Sequence, residues 1–405
     1  MAEQHSTNPD STISSELLAK VKQVIVSHLE SNHSATFVQL ARLLREQKHA
    51  GKLVITSQQV KAVIEHFEAN GMIMRAGNGF ILPARESSDE EKLQQFVIVH
   101  GVKYYVNENR LFLDHLEINS IDEIEGLDNI QNLKDLSLNE NCLESITKLA
   151  NLPISSTLQA IALHDNQIIS LDGIKECHEL KILGMGKNRL ENLDGINGLN
   201  QLTDVIVNDN CLESLEPLKN CTNLKEIDAS NNKITKIEGL GKLEHLIILN
   251  LSNNAIEVVT REDVPWGKKT NLAKVDLSHN RIKSASIDSV SELVLSCNNL
   301  VQIVIADRAT FDYLYLDNNA LTDTTFLKEY KNYQTELDLT HNPITSLAGM
   351  EYRLRAGIDQ VMFDVNNIPS QEWERLKALD DTVLLNDWED TQEHYRQLRN
   401  KNAQE

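Results

Sequence analysis

The chain has 405 residues and a net charge of -21, with 41% hydrophobic and 24% charged residues. This suits a folded protein with a sizeable core and, at roughly 150 residues per domain, two or three domains. The acid excess excludes simple attraction of the whole chain to nucleic acid or anionic lipid, and no apolar run approaches the ~18–20 residues that span a bilayer.

Residues 1–13 read as a disordered tail with neither the basic nor the apolar region of a secretory signal. Residues 14–83 carry a helical pattern. Leu18, Val21, Ile25 and Leu29 share one face. Thr36 to Gln39 and Thr56 to Gln59 are capping boxes that open a second and a third helix. Met72 to Leu82 reads as a hairpin turning at Gly77-Asn78-Gly79. Three helices and a hairpin resemble a winged-helix domain, and that resemblance implies a DNA-binding third helix. Residues 11–85 hold nine Lys/Arg and five Asp/Glu, a local +4 that permits nucleic-acid contact. The third helix mixes Lys61 with Glu65, His66 and Glu68, which favours protein docking or a structural role.

Residues 84–92 read as a charged linker. Residues 93–112 alternate and carry His100-Gly101 as a turn, so they form an expected N-terminal β cap.

From Leu113 to Pro369 the chain repeats itself. LKDLSLNENCL starts at Leu133, LKILGMGKNRL at Leu180, LTDVIVNDNCL at Leu202 and LKEIDASNNKI at Leu224. Looser copies follow, including FDYLYLDNNAL from Phe311 and QTELDLTHNPI from Gln334; a degenerate copy, LDHLEINSIDEI, is placed at Leu113. The LxLxx stretch alternates, which makes it a short strand with its leucines inward. The recurrent Asn is both donor and acceptor, so a stacked Asn row satisfies the buried turn backbone. Eleven positions form that row: Asn141, Asn166, Asn188, Asn210, Asn232, Asn254, Asn280, Asn298, Asn319, Asn342 and Asn366. Their spacings are 25, 22, 22, 22, 22, 26, 18, 21, 23 and 24 residues. Residues 370–405 read as a helical C-terminal cap and tail, with Trp373, Leu376 and Leu379 at helical spacing.

LxxLxLxxNxL is the leucine-rich repeat signature. The expected fold is an α/β solenoid, a leucine-rich repeat horseshoe with a small α+β winged-helix-like domain before it. Asn188 to Leu202 and Asn232 to Leu246 resemble the 22-residue intracellular class. That class includes the type 1 protein phosphatase regulatory subunit and axonemal dynein light chain 1-like proteins. Asn342 to Arg353 is similar to the start of its C-terminal cap. The resemblance implies a binding function, with a protein phosphatase as one partner class.

Solenoids bind on the concave sheet, at the variable positions of LxxLxLxx. From Leu133 onward these hold five lysines and fifteen acids, a net of -10 that suits a basic protein partner. A solvated acidic face is the competing explanation. Apolar residues there need a further reason, and the candidate partner-binding set is Ile182, Ile206, Asp228, Asp276, Tyr313, Tyr315, Asp338 and Met362. Ile248 is set aside as equally explained by cover from the next coil. Trp266, in the longest coil, reads as tucked under its own loop.

No catalytic, metal or cofactor site is expected: the His residues have no ligand spacing, and Gly184-Met-Gly186 is half of a GxGxxG without its βαβ context. The five cysteines are odd in number and form no CxxC pair, so they read as free thiols in a reducing, cytoplasmic setting. A nuclear or host-cell destination stays open, and the chain reads as a monomer.

Overall fold

The computed structural model describes residues 95–267, 271–328, 330, 335–350 and 361–379. Ahead of these it describes 20, 21, 23–25, 35, 36, 40, 44, 64, 74–76 and 79–81. The chain divides into two compact units, Met1–Cys142 and Leu143–Glu405.

In the first unit, Lys20, Val21, Gln23 to Ile25, Leu40, Leu44 and Ile64 are helical, and Val21, Ile25, Leu40, Leu44 and Ile64 are fully buried. The strands Ala35–Thr36, Gly79–Ile81 and Met74–Ala76 form a three-stranded antiparallel sheet in that order. Most of the expected module 14–83, the linker 84–92 and the tail 1–13 lie outside the described residues.

Phe96–Val99 and Val102–Tyr105 then pair antiparallel around His100-Gly101. Both turn residues have positive φ (51° and 79°), the geometry that matches strand twist in a two-residue hairpin. A second such turn follows at once, with Glu108 and Asn109 at φ 49° and 63° between the bridged Asn107 and Arg110. It delivers the chain into the strand Arg110–Phe112, parallel to Asp135–Ser137. The first coil therefore starts ahead of Leu113, where the sequence template placed it. Its ladder position is Leu116, which hides the motif, and Asn141 Oδ1 takes the backbone N–H of both Leu116 (3.0 Å) and Ile118 (3.1 Å).

The second unit is a parallel β solenoid. Ten strands follow in register: Ala160–Ala162, Ile182–Gly184, Asp204–Ile206, Glu226–Asp228, Ile248–Asn250, Lys274–Asp276, Glu292–Val294, Tyr313–Tyr315, Glu336–Asp338 and Val361–Met362. Each middle leucine, isoleucine or valine points inward and is buried, so the core is a stack of aliphatic rows.

The asparagine row closes each coil. Asn210 Oδ1 accepts the Leu190 N–H at 2.9 Å, while its Nδ2 donates to Met185 O in the preceding coil (2.9 Å) and to Val207 O in its own (3.1 Å). The same three-way pattern recurs at Asn188, Asn232, Asn254, Asn280, Asn298, Asn319 and Asn342. Asn366, expected as the last member, is exposed within the 3-10 turn Val365–Asn367. That winding turns it outward, and Asn367 reaches Asn342 O instead, at 3.4 Å.

The sequence template missed one backbone feature. The residue before each ladder Asn is left-handed: Asp165, Lys187, Asp209, Asn231, Asn253, His279, Cys297, Asn318 and His341 have φ between 51° and 58°. Asn, Asp and His tolerate that region better than Lys or Cys.

The return arms come in two kinds. Several are 3-10 turns, among them Thr147–Asn151, Glu216–Asn220, Leu240–Lys242 and Thr325–Leu327. Between Asn254 and Asn319 they are strands instead: Val258–Val259, Ser284–Ile287 and Gln302–Ile305 form a second parallel sheet. Extended backbone covers ~3.3 Å per residue and a 3-10 helix ~2.0 Å, so the 18-residue coil spans the same core with fewer residues. The unit ends in the α-helix Ser370–Leu379, as the spacing of Trp373, Leu376 and Leu379 anticipates. Its Glu372 lies 3.4 Å from the Leu347 N–H and pairs with Arg375 at 2.9 Å.

Candidate functional site

Each strand of the second unit turns its first and third residues outward, and the parallel register lines these into two rows. One row reads Ala160, Ile182, Asp204, Glu226, Ile248, Lys274, Glu292, Tyr313 and Glu336. The other reads Ala162, Gly184, Ile206, Asp228, Asn250, Asp276, Val294, Tyr315, Asp338 and Met362. All eight candidate residues stand in these rows. Ile182 and Tyr313 are exposed, at 46% and 43%, while Ile206, Asp228, Asp276, Tyr315, Asp338 and Met362 are half-buried.

The register divides the candidates into two patches. Ile182 is paired with Asp204, and Ile206 with Asp228, on adjoining strands. Tyr315, Asp338 and Met362 are neighbours on three successive strands, beside Tyr313. Asp204–Ile206 and Tyr313–Tyr315 are five strands apart, roughly 24 Å at the usual strand spacing. Asp276 lies between the patches and joins neither.

The aspartates have a structural task that the sequence reading did not assign. Asp228 Oδ1 accepts the Ser230 N–H (3.0 Å) and hydroxyl (2.7 Å). Asp276 does the same for Ser278, and Asp338 for Thr340; Asn250 plays the part for Ser252. The D/N-x-S/T spacing of these Asx turns was visible in the sequence. It makes Asp228, Asp276 and Asp338 turn formers first, with one carboxyl oxygen committed.

Mid-array, Gly184 and Gly186 make room for an imidazole. A Cβ on Gly184 would lie 2.6 Å from His164 Nε2, and the Gly186 N–H donates to His164 Nδ1 at 3.0 Å. The two glycines serve packing. Trp266 is half-buried, with its indole N–H turned back on Thr260 O at 3.4 Å.

The C-terminal patch is the more organised. The rings of Tyr313 and Tyr315 stack at 6.2 Å with 13° between planes. Burial, then the charges of Glu336 and Glu292, the Tyr313 ring and Asp338, raise the Tyr315 phenol above its ordinary pKa. Lys274 pairs with Glu292 at 2.8 Å. Glu292, Val294 and Glu336 therefore complete a cluster that the candidate set named only in part. Sequence distance hid them; only the strand register places residues 292, 313 and 336 side by side.

Cys177 and Cys221 are buried, and burial pushes both thiols up to about 11. All five cysteines are free. Among the described residues, no group of three His, Cys, Asp or Glu could hold a metal ion, and no helix is long and apolar enough to cross a membrane.

The family model for leucine rich repeats matches two copies, at residues 200–240 and 222–260. These are the coils whose strands, ladder and left-handed turns have just been described. Residues 200–260 are leucine-rich repeats. No curated protein matches it. Solved structures similar to this chain include an internalin from Listeria monocytogenes, 18% identical, with TM-score 0.46 over 64% of this chain and 76% of that one. A leucine-rich repeat protein of Leptospira interrogans is 21% identical, with TM-score 0.44 over 63% and 71%. A plant peptide hormone receptor, RGFR1 in complex with RGF2, is 20% identical, with TM-score 0.47 over 58% and 40%.

Proposed function

We propose that this leucine-rich repeat chain is a protein-binding scaffold or regulator whose outward sheet rows hold a partner with a basic surface. The carrying observation is the exposure of Ile182 and Tyr313 on a face that also presents Asp204, Glu226, Asp228, Asp276, Glu292, Glu336 and Asp338. Solubility explains the acids, and Ile182 and Tyr313 add an apolar and an aromatic contact to that face. Leucine-rich repeat proteins are typically interaction scaffolds and not enzymes, which fits. Five free thiols support a reducing compartment. A phosphatase as the partner rests on the resemblance of coils 188–202 and 232–246 alone.

The test is capture by the immobilised chain at about 0.05 M and about 0.3 M salt. The same capture is run with a variant carrying Ile182→Ser, Asp204→Asn, Glu226→Gln and Tyr313→Ala. A partner on this face is retained by the native chain at low salt and lost by the variant. Retention by both chains sinks the proposal.

A second reading concerns the first unit. The sheet order Ala35–Thr36, Gly79–Ile81, Met74–Ala76 and the buried helical positions Val21, Ile25, Leu40, Leu44 and Ile64 support a winged-helix module. With its local +4, that module is proposed for protein docking, with duplex nucleic acid as the alternative ligand. Absence of any salt-dependent DNA binding by the full chain at low salt removes the alternative.

A further inference from the structure

We propose that Tyr313, Tyr315 and Glu336 form a clamp for one arginine side chain of the protein partner. The inference rests on the protein-binding reading above and names the group that the partner must supply.

Five carboxylates border the tyrosine pair, and four are engaged. Glu292 is paired with Lys274 at 2.8 Å. Asp312 accepts the Ser291 hydroxyl, and Asp317 the Ser296 hydroxyl. Asp338 holds Thr340 by its N–H (2.9 Å) and its hydroxyl (2.7 Å). The Glu336 backbone N–H donates to Asp312 O at 2.8 Å, but its carboxylate has no hydrogen-bond or ion-pair partner among the described residues. Glu336 is half-buried, and it sits beside Tyr313 as that residue's register partner on the next strand. A half-buried carboxylate without a partner is open to a cation from outside.

The tyrosines select which cation. Their rings are nearly parallel, and Tyr313 leaves 43% of its surface open. A planar, weakly hydrated guanidinium can lie on that ring while directing paired N–H groups at Glu336. A lysine ammonium supplies the charge without the plane or the fork. Charge complementarity agrees, because the variable face nets -10. A purely soluble acidic face would not need the stacked pair.

The experiment uses the full chain and two labelled probes, a peptide of about nine residues with alternating arginine and glycine and its lysine counterpart, followed by fluorescence anisotropy. The arginine peptide is expected to bind several-fold tighter. Glu336→Gln should cost about tenfold for the arginine peptide and little for the lysine peptide. Tyr313→Leu should also weaken arginine binding, while Tyr313→Phe, which keeps the ring, should retain it. Glu191→Gln, which removes the same charge from an exposed position outside the two outward rows, should change binding by less than about twofold. Circular dichroism and the unfolding midpoint confirm that each variant is folded. Equal binding of the two peptides, or binding indifferent to Glu336 and Tyr313, overturns the clamp and leaves the acidic-face reading standing. Failure of both peptides to bind at low salt overturns both.

Discussion

The coils from Asn166 to Asn254 repeat every 22 residues, whereas those from Asn254 to Asn342 vary from 18 to 26. Their inner halves are alike. In both, a three-residue strand pairs in parallel, and a left-handed residue precedes an asparagine that bonds across two coils. Their outer halves differ. The regular coils return through short turns such as the 3-10 helices Glu216–Asn220 and Leu240–Lys242. Three of the irregular ones return through extended strands. Backbone hydrogen bonds between coils constrain the strand and the ladder, and a length change there would break register. The return arm need only carry apolar residues inward, so insertions and deletions collect in it.

The largest expected effect probes where the irregular half has specialised. Phe311 fills the position that Leu202, Leu224 and Leu246 hold in the regular coils. It is buried against Tyr330 (rings 5.7 Å apart), and Thr335 donates to its carbonyl at 2.6 Å. Phe311→Ala should cost about 4 kcal/mol in urea unfolding, and Phe311→Leu about 1–2 kcal/mol through the void it leaves. A neutral Phe311→Leu would mean that the two halves are packed interchangeably.

The ladder should treat both regions equally. Asn210→Ala and Asn298→Ala remove the same set of bonds, so each should lose about 2–3 kcal/mol. Unequal losses, measured by the shift in denaturation midpoint at constant slope, would break the claim that the inner halves are equivalent.

The thiols separate the regions by reactivity. Cys177 and Cys221 belong to the regular coils, are buried, and have thiols held at about 11. Cys297, in the 18-residue coil, is only half-buried. Alkylation at pH 8 should modify Cys297 at least about tenfold faster than Cys177 or Cys221. Raising a thiol pKa favours its protonated form in the folded chain. The stability it contributes is complete below pH 9 and is lost as pH rises through about 11. Cys177→Ser with Cys221→Ser should flatten that alkaline decline, and an unchanged profile would contradict the assignment.

The smallest effect tests the left-handed turn. Lys187→Asn in a regular coil and Cys297→Asn in the irregular half should each stabilise the chain by about 0.5–1 kcal/mol, read as a rise in melting temperature. A destabilised Cys297→Asn would mean that the thiol is needed for packing where the lysine is not.

Much of this was legible from residues alone. The inward leucines and ten ladder asparagines follow from LxxLxLxxN, because alternation and a turn amide are local demands. The hairpin at His100-Gly101 was local too. The template failed at both ends. The first copy was placed at Leu113, whereas the register puts its ladder position at Leu116, and Asn366 has the right spacing inside a 3-10 turn that carries it off the row. It also treated Asp228, Asp276 and Asp338 as free binding groups, although each is tied to the Ser or Thr two residues later.

The sequence by itself determined the coil: what faces inward, what turns, and that the outward positions are acidic with Ile182, Ile206, Tyr313 and Tyr315 among them. Those are properties of one repeat and its period. Only the tertiary structure decided which outward residues are neighbours, since adjacency across the sheet links residues about twenty apart and depends on the register of every coil between. The same stacking lets an 18-residue coil lie flush with 22-residue ones. It also separates the committed carboxylates from Glu336, because a partner such as Lys274 reaches Glu292 only from the adjoining strand.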